Sequence, residues 1–245
     1  MAATYNNLYL DARQRLRAAG VESAQLEARE IVCYAAEKTR EQFYRDAALY
    51  ASGQVEARVA ELIERRLAGE PVAYIIGEWE FYGLTLDITR DVLIPRMDTE
   101  VLADVSEAAL QVCKRNVRRN DLNARVTCVH ADALQPPAAA LWDFDVIACN
   151  PPYIPTGDLP GLDVSVRDYE PHLALDGGDD GLDYYRAIAG GWKSALRLGG
   201  ALLFEVGMGQ APDVETLLAK NGYENIQTYQ DTAGIWRVVE GVANN

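Results

Sequence analysis

The hydrophobic pattern of the chain changes period near residue 70, and this change constrains the fold more than any other feature. Up to that point apolar residues recur at helical spacing, and Gly20 ends the first run. A Thr39-x-x-Gln42 capping box marks the start of a later helix. The pattern predicts a small bundle of three or four helices over residues 1–71. The first helical face contains Leu8, Ala12, Leu16 and Ala19.

Residues 72–98 have a different character, because large apolar and aromatic residues cluster around Gly77 and Gly83. Such a cluster around glycines is typical of a β-hairpin. We therefore expect a hairpin that links two domains. The residues concerned are Val72, Tyr74, Ile75, Phe81, Tyr82, Leu84, Leu86 and Ile88.

From residue 99 to 245 the pattern alternates between strand and helix, which predicts an α/β domain with a parallel sheet. Helices are expected at 106–120 and 182–197. A final antiparallel pair, Glu224–Gln230 with Trp236–Glu240, is expected at the edge of the sheet. The predicted short buried strands are Arg125–Ala131, Asp143–Cys149 and Ala201–Gly207.

The net charge of the chain is -14 at pH 7, with a pI of about 4.6. A surface of this charge repels a phosphate backbone, which argues against nucleic acid and favours a protein or small-molecule substrate. A local basic patch is better explained as a solvated helix face. It consists of Lys114, Arg115, Arg118 and Arg119.

The cysteines Cys33, Cys113, Cys128 and Cys149 show no paired spacing, so we expect reduced thiols and a reducing compartment. The sequence shows neither a secretory signal pattern nor an apolar run of the roughly 18 residues that a membrane span needs. A cytoplasmic protein that does not enter the membrane is expected.

The most informative short motif is Asn150-Pro151-Pro152-Tyr153, directly after the predicted strand Asp143–Cys149. Ligands of open α/β sheets bind beyond the carboxyl ends of the strands. Two prolines stiffen the loop and remove two N–H donors, so the segment offers acceptors. A tight turn without function is the alternative, and the position after the strand argues against it.

These acceptors suit methyl transfer to a planar nitrogen, whose lone pair is delocalised and therefore a poor nucleophile. If the Asn150 side-chain oxygen and the Pro151 carbonyl each accept one substrate N–H, the lone pair is directed at a methyl donor. Tyr153 would stack on the planar group.

Two aspartates are candidates for binding the cofactor. Asp104 stands between the apolar run Val101–Ala103 and a predicted helix, where a carboxylate commonly accepts from ribose hydroxyls. It could equally be the N-cap of that helix. Asp132 also follows a predicted strand and is a weaker candidate for contacting the adenine end.

Several stretches together resemble the release-factor glutamine methyltransferases of the HemK/PrmC type, in an order that covers nearly the whole chain. The Asn-Pro-Pro-Tyr motif alone also occurs in DNA and RNA amino-methyltransferases. The helical domain, the hairpin and the Ile-Pro-Arg stretch restrict the resemblance to the release-factor enzymes. The stretches are Tyr74–Gly83, Leu93–Glu100, Asn150–Tyr153, Glu170–Leu175 with Gly177, Gly178 and Gly181, and Glu205–Gly207 with Gln210.

The resemblance implies a Rossmann-like methyltransferase sheet that uses S-adenosylmethionine. The acceptor would be the Gln amide nitrogen in the Gly-Gly-Gln tripeptide of a peptide-chain release factor. Asn150 and the Pro151 carbonyl would hold the amide, with Pro152 and Tyr153 completing the loop. Asp104 would hold the cofactor ribose, and Asn150 would also adjoin the cofactor. The helical domain would help to dock the release factor, and we expect a monomer.

The chain departs from the family pattern at several positions. Met97 replaces a usual proline, and Trp79 replaces a usually polar residue. Ala133 follows Asp132 where a bulkier side chain can cover the adenine. These changes are local and tolerable.

The largest departure is that only Val101, Leu102 and Ala103 separate Glu100 from Asp104. A helix, the first strand, the glycine-rich cofactor loop and a second helix are expected there, and a crossover alone needs at least about 10–12 residues. Either a segment is missing from this sequence or the protein lacks its cofactor loop. We favour the former, because a sheet without its first strand leaves its neighbours unpaired.

Two other functions are compatible with the sequence. One is amino-methylation of nucleic acid, which would need a basic groove beside Tyr153. The other is a catalytically inactive module that binds release factors without cofactor, if the loop is truly deleted.

Overall fold

A computed structural model describes residues 3–81, 83–92 and 103–244. The Leu93–Glu100 motif and most of the Glu100–Asp104 junction lie outside these residues. The chain divides into two compact units. The first runs to Trp79 and includes Asp87–Thr89, and the second contains Glu80–Leu86 and the chain from Arg90 onward.

The first unit is the predicted helical bundle. The capping box is confirmed, because the Thr39 hydroxyl accepts from the Gln42 N–H and the Gln42 side chain accepts from the Thr39 N–H. Leu16, Ile31 and Ile63 are fully buried at its centre. The helices are α1 (Tyr5–Ala18), α2 (Ala24–Ala36), α3 (Arg40–Asp46), α4 (Gly53–Leu67) and α5 (Val72–Ile76).

The segment Val72–Ile76 is a helix, so its assignment to the hairpin was wrong. Pro71 stands at its N-cap, and Gly77 ends it in the left-handed conformation with φ 83°. Its apolar residues pack into the helical core, and a short apolar run does not by itself distinguish a buried helix from a strand. The hairpin itself is confirmed two residues later as β1 (Glu78–Phe81) paired with β2 (Leu84–Asp87).

The second unit contains the alternating strands and helices. Trp192–Ala195 is a short 3₁₀ turn. Of the helices in the described ranges, none has the length and apolar character to cross a bilayer. The elements are β3 (Ala103–Asp104), α6 (Glu107–Arg119), β4 (Val129–His130), β5 (Phe144–Cys149), α7 (Val164–Arg167), α8 (Asp183–Gly191), β6 (Leu196–Glu205), α9 (Ala211–Lys220), β7 (Tyr223–Gln230) and β8 (Trp236–Ala243).

Two predicted elements in this unit are shorter than expected. The strand predicted over Arg125–Ala131 is reduced to β4, and the helix predicted over 182–197 ends at Gly191. Gly190 and Gly191 lower helix propensity at that point. The Trp192 indole N–H then donates to the carbonyls of Ala133 and Gln135 at 3.2 and 2.9 Å.

The strands form a mixed sheet in the order β5-β6-β8-β7 and a separate pair, β3-β4. Pairing is parallel within β3-β4 and β5-β6, and antiparallel for β6-β8 and β7-β8. The predicted terminal antiparallel pair is therefore confirmed, with β7 at the edge.

One face of the four-stranded sheet carries the core of this unit. The Tyr185 ring of α8 lies edge-on to the Phe204 ring of β6, with centroids 5.1 Å apart. Val214 and Leu218 of α9 are also fully buried. Burial of side chains this large is the main stabilising term for such a layer.

The prediction of Asp143–Cys149 as a buried central strand is wrong for the described structure. Among the described residues, β5 pairs with β6 and with no strand on its other side. Val146 is 53% exposed although it lies in the middle of the strand. A parallel strand that paired with both β5 and the separate β3-β4 pair would join these strands into one sheet.

Candidate functional site

The loop Asn150–Tyr153 begins at the carboxyl end of β5, as predicted. Pro151 is buried, and the other three residues are half-buried. Neither proline has an N–H, so the backbone between Asn150 and Tyr153 offers carbonyl oxygens without competing donors. The loop is thus a stiff acceptor surface at the edge of a parallel strand pair.

Gln210 fixes the far end of this loop. Its Nε2 donates to the Tyr153 carbonyl at 3.0 Å and to the Gly181 carbonyl at 3.3 Å. Its Oε1 accepts from the Gly207 N–H at 3.0 Å. One amide side chain therefore joins three loops, which follow β5, precede α8 and follow β6.

Three glycines allow these loops to approach closely. A Cβ on Gly177 would lie 2.8 Å from the Tyr153 Cα, and one on Gly181 would lie 2.3 Å from the Tyr153 carbonyl oxygen. A Cβ on Gly207 would lie 2.6 Å from the Gln210 Oε1. Gly181 also has φ +74°, which glycine adopts without strain.

A second set of contacts connects the residues that follow the Asn150–Tyr153 loop to Asp176. Ile154 forms a parallel bridge with Asp176, and the Thr156 hydroxyl donates to the Asp176 carboxylate at 2.7 Å. The Gly178 N–H donates to the same oxygen at 3.1 Å. These bonds hold the pKa of Asp176 below its usual value, with the Thr156 hydroxyl as the largest cause.

Asp104 lies at the carboxyl end of β3, and its carbonyl accepts from the Ala131 N–H at 3.1 Å. The N-cap alternative is wrong, because Ser106 caps α6 through its hydroxyl and the Ala109 N–H. One carboxylate oxygen of Asp104 accepts from the Ser106 N–H at 2.7 Å. The Asp104 side chain is exposed, as a ligand-binding carboxylate at a strand end requires.

Asp132 follows β4 and shapes the next turn, since its carboxylate accepts from the Leu134 N–H at 2.9 Å. The carbonyl of Ala133 is fixed by the Trp192 indole. The turn is therefore anchored on the end of α8. The parallel register pairs Asp104 with His130, so Asp104 and Asp132 emerge at the same end of two adjacent strands.

Two adjacent tyrosines, Tyr184 and Tyr185, stand at the start of α8, and the sequence interpretation missed both. Burial is the main cause of the raised pKa of Tyr184, and Asp132, Asp176 and Asp104 raise it further. Burial also raises the pKa of Tyr185, with a contribution from Tyr153. The Tyr185 hydroxyl donates to the Glu205 carbonyl at 2.9 Å.

A cleft of about 420 Å³ opens beside Tyr184. The cleft is lined in part by residues of the turn after Asp132 and of the glycine loop before α8. A space of this size is within the usual range for small-molecule sites. The lining residues are Leu134, His172, Leu173, Asp176, Gly178, Asp183 and Tyr184.

Comparison with known families matches the two parts of the chain separately. Residues 7–77 match the PrmC N-terminal domain, and residues 88–159 match the methyltransferase small domain. These matches and the acceptor loop at a strand end define a methyltransferase with an added helical domain.

The curated relatives specify the family. A release factor glutamine methyltransferase of Moorella thermoacetica is 36% identical, with 91% of this chain and 93% of the relative covered. Another, from Caulobacter vibrioides, is 32% identical and covers 100% of this chain and 98% of the relative. The chain belongs to the release factor glutamine methyltransferase family.

Structural similarity to solved proteins is partial. The protein-(glutamine-N5) methyltransferase of Alicyclobacillus acidocaldarius is 23% identical over 58% of this chain and 63% of that one, with a TM-score of 0.29. A methyltransferase from Pyrococcus furiosus gives a TM-score of 0.39 at 17% identity over 58% of this chain and 61% of that one.

The sequence alignment with the Caulobacter relative is longer than this chain. It extends over 285 positions, whereas this chain has 245 residues. About 40 positions of that alignment therefore have no residue in this chain.

Proposed function

We propose that this protein transfers a methyl group from S-adenosylmethionine to the side-chain amide nitrogen of Gln in the Gly-Gly-Gln tripeptide of a peptide-chain release factor. The observation that carries the proposal is the acceptor loop Asn150–Tyr153 directly after β5, which Gln210 fixes to the neighbouring strand end. The proposed substrate class, a release factor, follows from membership of the release factor glutamine methyltransferase family.

The acceptor half of the reaction follows from hydrogen-bonding geometry. The Asn150 side-chain oxygen and the Pro151 carbonyl each accept one N–H of the glutamine amide, and Tyr153 stacks on the amide plane. Holding both hydrogens in this way directs the nitrogen lone pair out of the loop. The alkylated nitrogen is acidic and releases its proton without a strong general base.

The nucleoside half of the cofactor fits the residues present. Asp104 would accept from the ribose hydroxyls, and the backbone of Asp132 and Ala133 would contact the adenine. Both aspartates contribute to the raised pKa of Tyr184, and Tyr184 lines a cleft of about 420 Å³. When bound, the cofactor supplies an electrophilic methyl group on a sulfonium.

The methionine half of the cofactor does not fit this sequence. The three residues between Glu100 and Asp104 cannot form a strand and a glycine-rich loop. Within the described ranges one edge of β5 has no partner strand, which supports the same inference. We infer that the active protein carries a further segment of about 40 residues, the excess seen in the Caulobacter alignment.

A protein substrate also agrees with the charge of -14, which disfavours nucleic acid. We propose that the protein is a cytoplasmic monomer whose helical domain contacts the release factor. If the missing segment is truly absent, the second candidate is a module that binds release factors without catalysis, because no residues would then hold the methionine half of the cofactor.

The test uses the protein with the further segment of about 40 residues and measures transfer of tritium from labelled S-adenosylmethionine to purified release factor, with DNA and RNA as parallel acceptors. Label should enter the release factor and be lost when its Gly-Gly-Gln glutamine is replaced by alanine.

Asn150→Ala should reduce kcat at least about 100-fold, the scale found when an oriented polar group is removed from an active site. Exposed Asn123→Ala is the matched control and should be fully active. Equal activity of the two variants would refute the role of Asn150. Label that enters only DNA or RNA would refute the release factor as the substrate.

A further inference from the structure

Two cysteines that are distant in sequence meet in the second unit. The Sγ atoms of Cys113 and Cys128 lie 2.7 Å apart, and both side chains are half-buried. A disulfide has an S–S distance of about 2.05 Å, so bond formation requires the sulfurs to move by less than about 1 Å. The sequence spacing had given no indication of this pair.

The fold places the two sulfurs together for identifiable reasons. Leu110, Cys113 and Val117 share one face of α6, and the two flanking residues are buried at 1% and 8% exposure. Cys128 immediately precedes β4, whose Val129 pairs with Ala103 of β3. Because α6 packs on both of these strands, its inward face meets the residue that enters β4.

We propose that Cys113 and Cys128 form a reversible disulfide by exchange with a low-molecular-weight disulfide such as oxidised glutathione. One cysteine thiolate attacks the small disulfide, which forms a mixed disulfide and releases one glutathione thiolate. The second cysteine, after losing its proton to solvent, attacks the protein sulfur of that mixed disulfide and releases the second glutathione. The protein pair loses two electrons and two protons, and one oxidised glutathione becomes two reduced ones.

The surroundings of Cys113 make this exchange dependent on pH. Burial raises the pKa of Cys113 to about 12, and the neighbouring Cys128 thiol and the Asp104 carboxylate act in the same direction. Lys114 on the same helix acts in the opposite direction. Since the thiolate is the reactive form, closure of the bond should accelerate as the pH rises.

The bond would join α6 to the start of β4, and thus restrain the strand pair that carries Asp104 and Asp132. A disulfide restricts the unfolded chain, so the oxidised protein should melt several degrees higher than the reduced protein. This inference rests on the sulfur geometry alone and does not depend on the proposed methyl transfer.

The experiment treats the folded protein with oxidised glutathione at pH 8.5, blocks remaining thiols with N-ethylmaleimide, and maps the digest by mass spectrometry. The expected product is a Cys113–Cys128 linked peptide that dithiothreitol releases. Cys33 and Cys149 are internal controls, because among the described residues only Cys113 and Cys128 have their sulfur atoms in contact.

Single variants separate the pair from nonspecific oxidation. Cys113→Ala and Cys128→Ala should each stop at the mixed disulfide or free thiol, while Cys33→Ala should form the linked peptide as readily as the unsubstituted protein. Two free or separately glutathionylated cysteines in the unsubstituted protein would overturn the proposal, as would a linkage that involves Cys33 or Cys149. Because the mapping on the unsubstituted protein is decisive, a variant that fails to fold leaves the test intact.

Discussion

The side-chain nitrogen of Gln210 donates to the carbonyl oxygen of Tyr153 at 3.0 Å, and this bond connects the acceptor loop to the loop after β6. The same nitrogen also faces the carbonyl of Gly181. Because both partners are acceptors, the interaction depends on an amide at position 210.

Gln210→Glu replaces that donor with a carboxylate facing two carbonyl oxygens. Loss of the bonds should lower the free energy of unfolding by about 1–3 kcal/mol, measured by urea denaturation. In the form that carries the further segment, methyl transfer should fall further than stability explains, because the Asn150–Tyr153 loop loses its support. Gln54→Glu adds the same charge at an exposed site of α4 and should change neither quantity. Equal stability and activity of the two variants would contradict the supporting role of Gln210.

Gly181→Ala tests the close approach of the loops. A Cβ there meets the Tyr153 carbonyl oxygen at 2.3 Å and the Gln210 Nε2 at 2.8 Å, in addition to the strain of φ +74°. Gly199→Ala has nearly the same strain at φ +78° with no atom within 4 Å. The control should cost about 1–2 kcal/mol of unfolding free energy, and Gly181→Ala about 1–3 kcal/mol more. A smaller loss at Gly181 than at Gly199 would show that the loops separate without cost.

Thr156→Val removes the hydroxyl that donates to Asp176 and keeps the shape of the side chain. The folded-state pKa of Asp176 is depressed, so its contribution to stability is fully present above the unfolded pKa and is lost as pH falls through the folded pKa. The variant should therefore melt lower than the unsubstituted protein at pH 7. The difference should shrink below about pH 4, where the Asp carboxylate begins to protonate.

Melting curves between pH 7 and pH 2.5 measure this difference. Thr216→Val is a suitable comparison, because its hydroxyl donates to the neutral carbonyl of Pro212. Its effect on melting should not depend on pH over this range. A Thr156→Val effect that persists undiminished at the lowest pH would show that Asp176 is not the group concerned.

The helical bundle and the terminal antiparallel pair β7-β8 could be predicted because local signals and hydrophobic period agree there. Thr39 and Gln42 form the capping box that their spacing indicates. Val72–Ile76 was misassigned because five apolar residues have no period that separates a helix from a strand. Its burial in the helical core is a tertiary effect.

The candidate site was predictable only where a motif follows a strand. Asn150 and Asp104 occupy the strand ends at which the pattern placed them. Gln210 and Gly207 were identified through family resemblance alone, and the contact between Cys113 and Cys128 was not foreseen. These relationships depend on loops that approach across the sheet, and spacing along the chain does not encode such distances.

The short Glu100–Asp104 junction gives the last prediction. Inserting there the roughly 40 residues of the Caulobacter relative that align with no residue of this chain should supply a strand that pairs with β5 and with β3. Calorimetry should then detect S-adenosylmethionine binding in the chimera and none in the 245-residue chain. Backbone amides on the edge of β5 that has no partner strand among the described residues should become protected from hydrogen exchange, because an added parallel strand bonds that edge. A chimera that carries Asp104→Ala is the matched control and should fold without binding the cofactor tightly. Binding of equal strength to the 245-residue chain would show that the existing residues suffice, and the missing segment would then have no part in holding the cofactor.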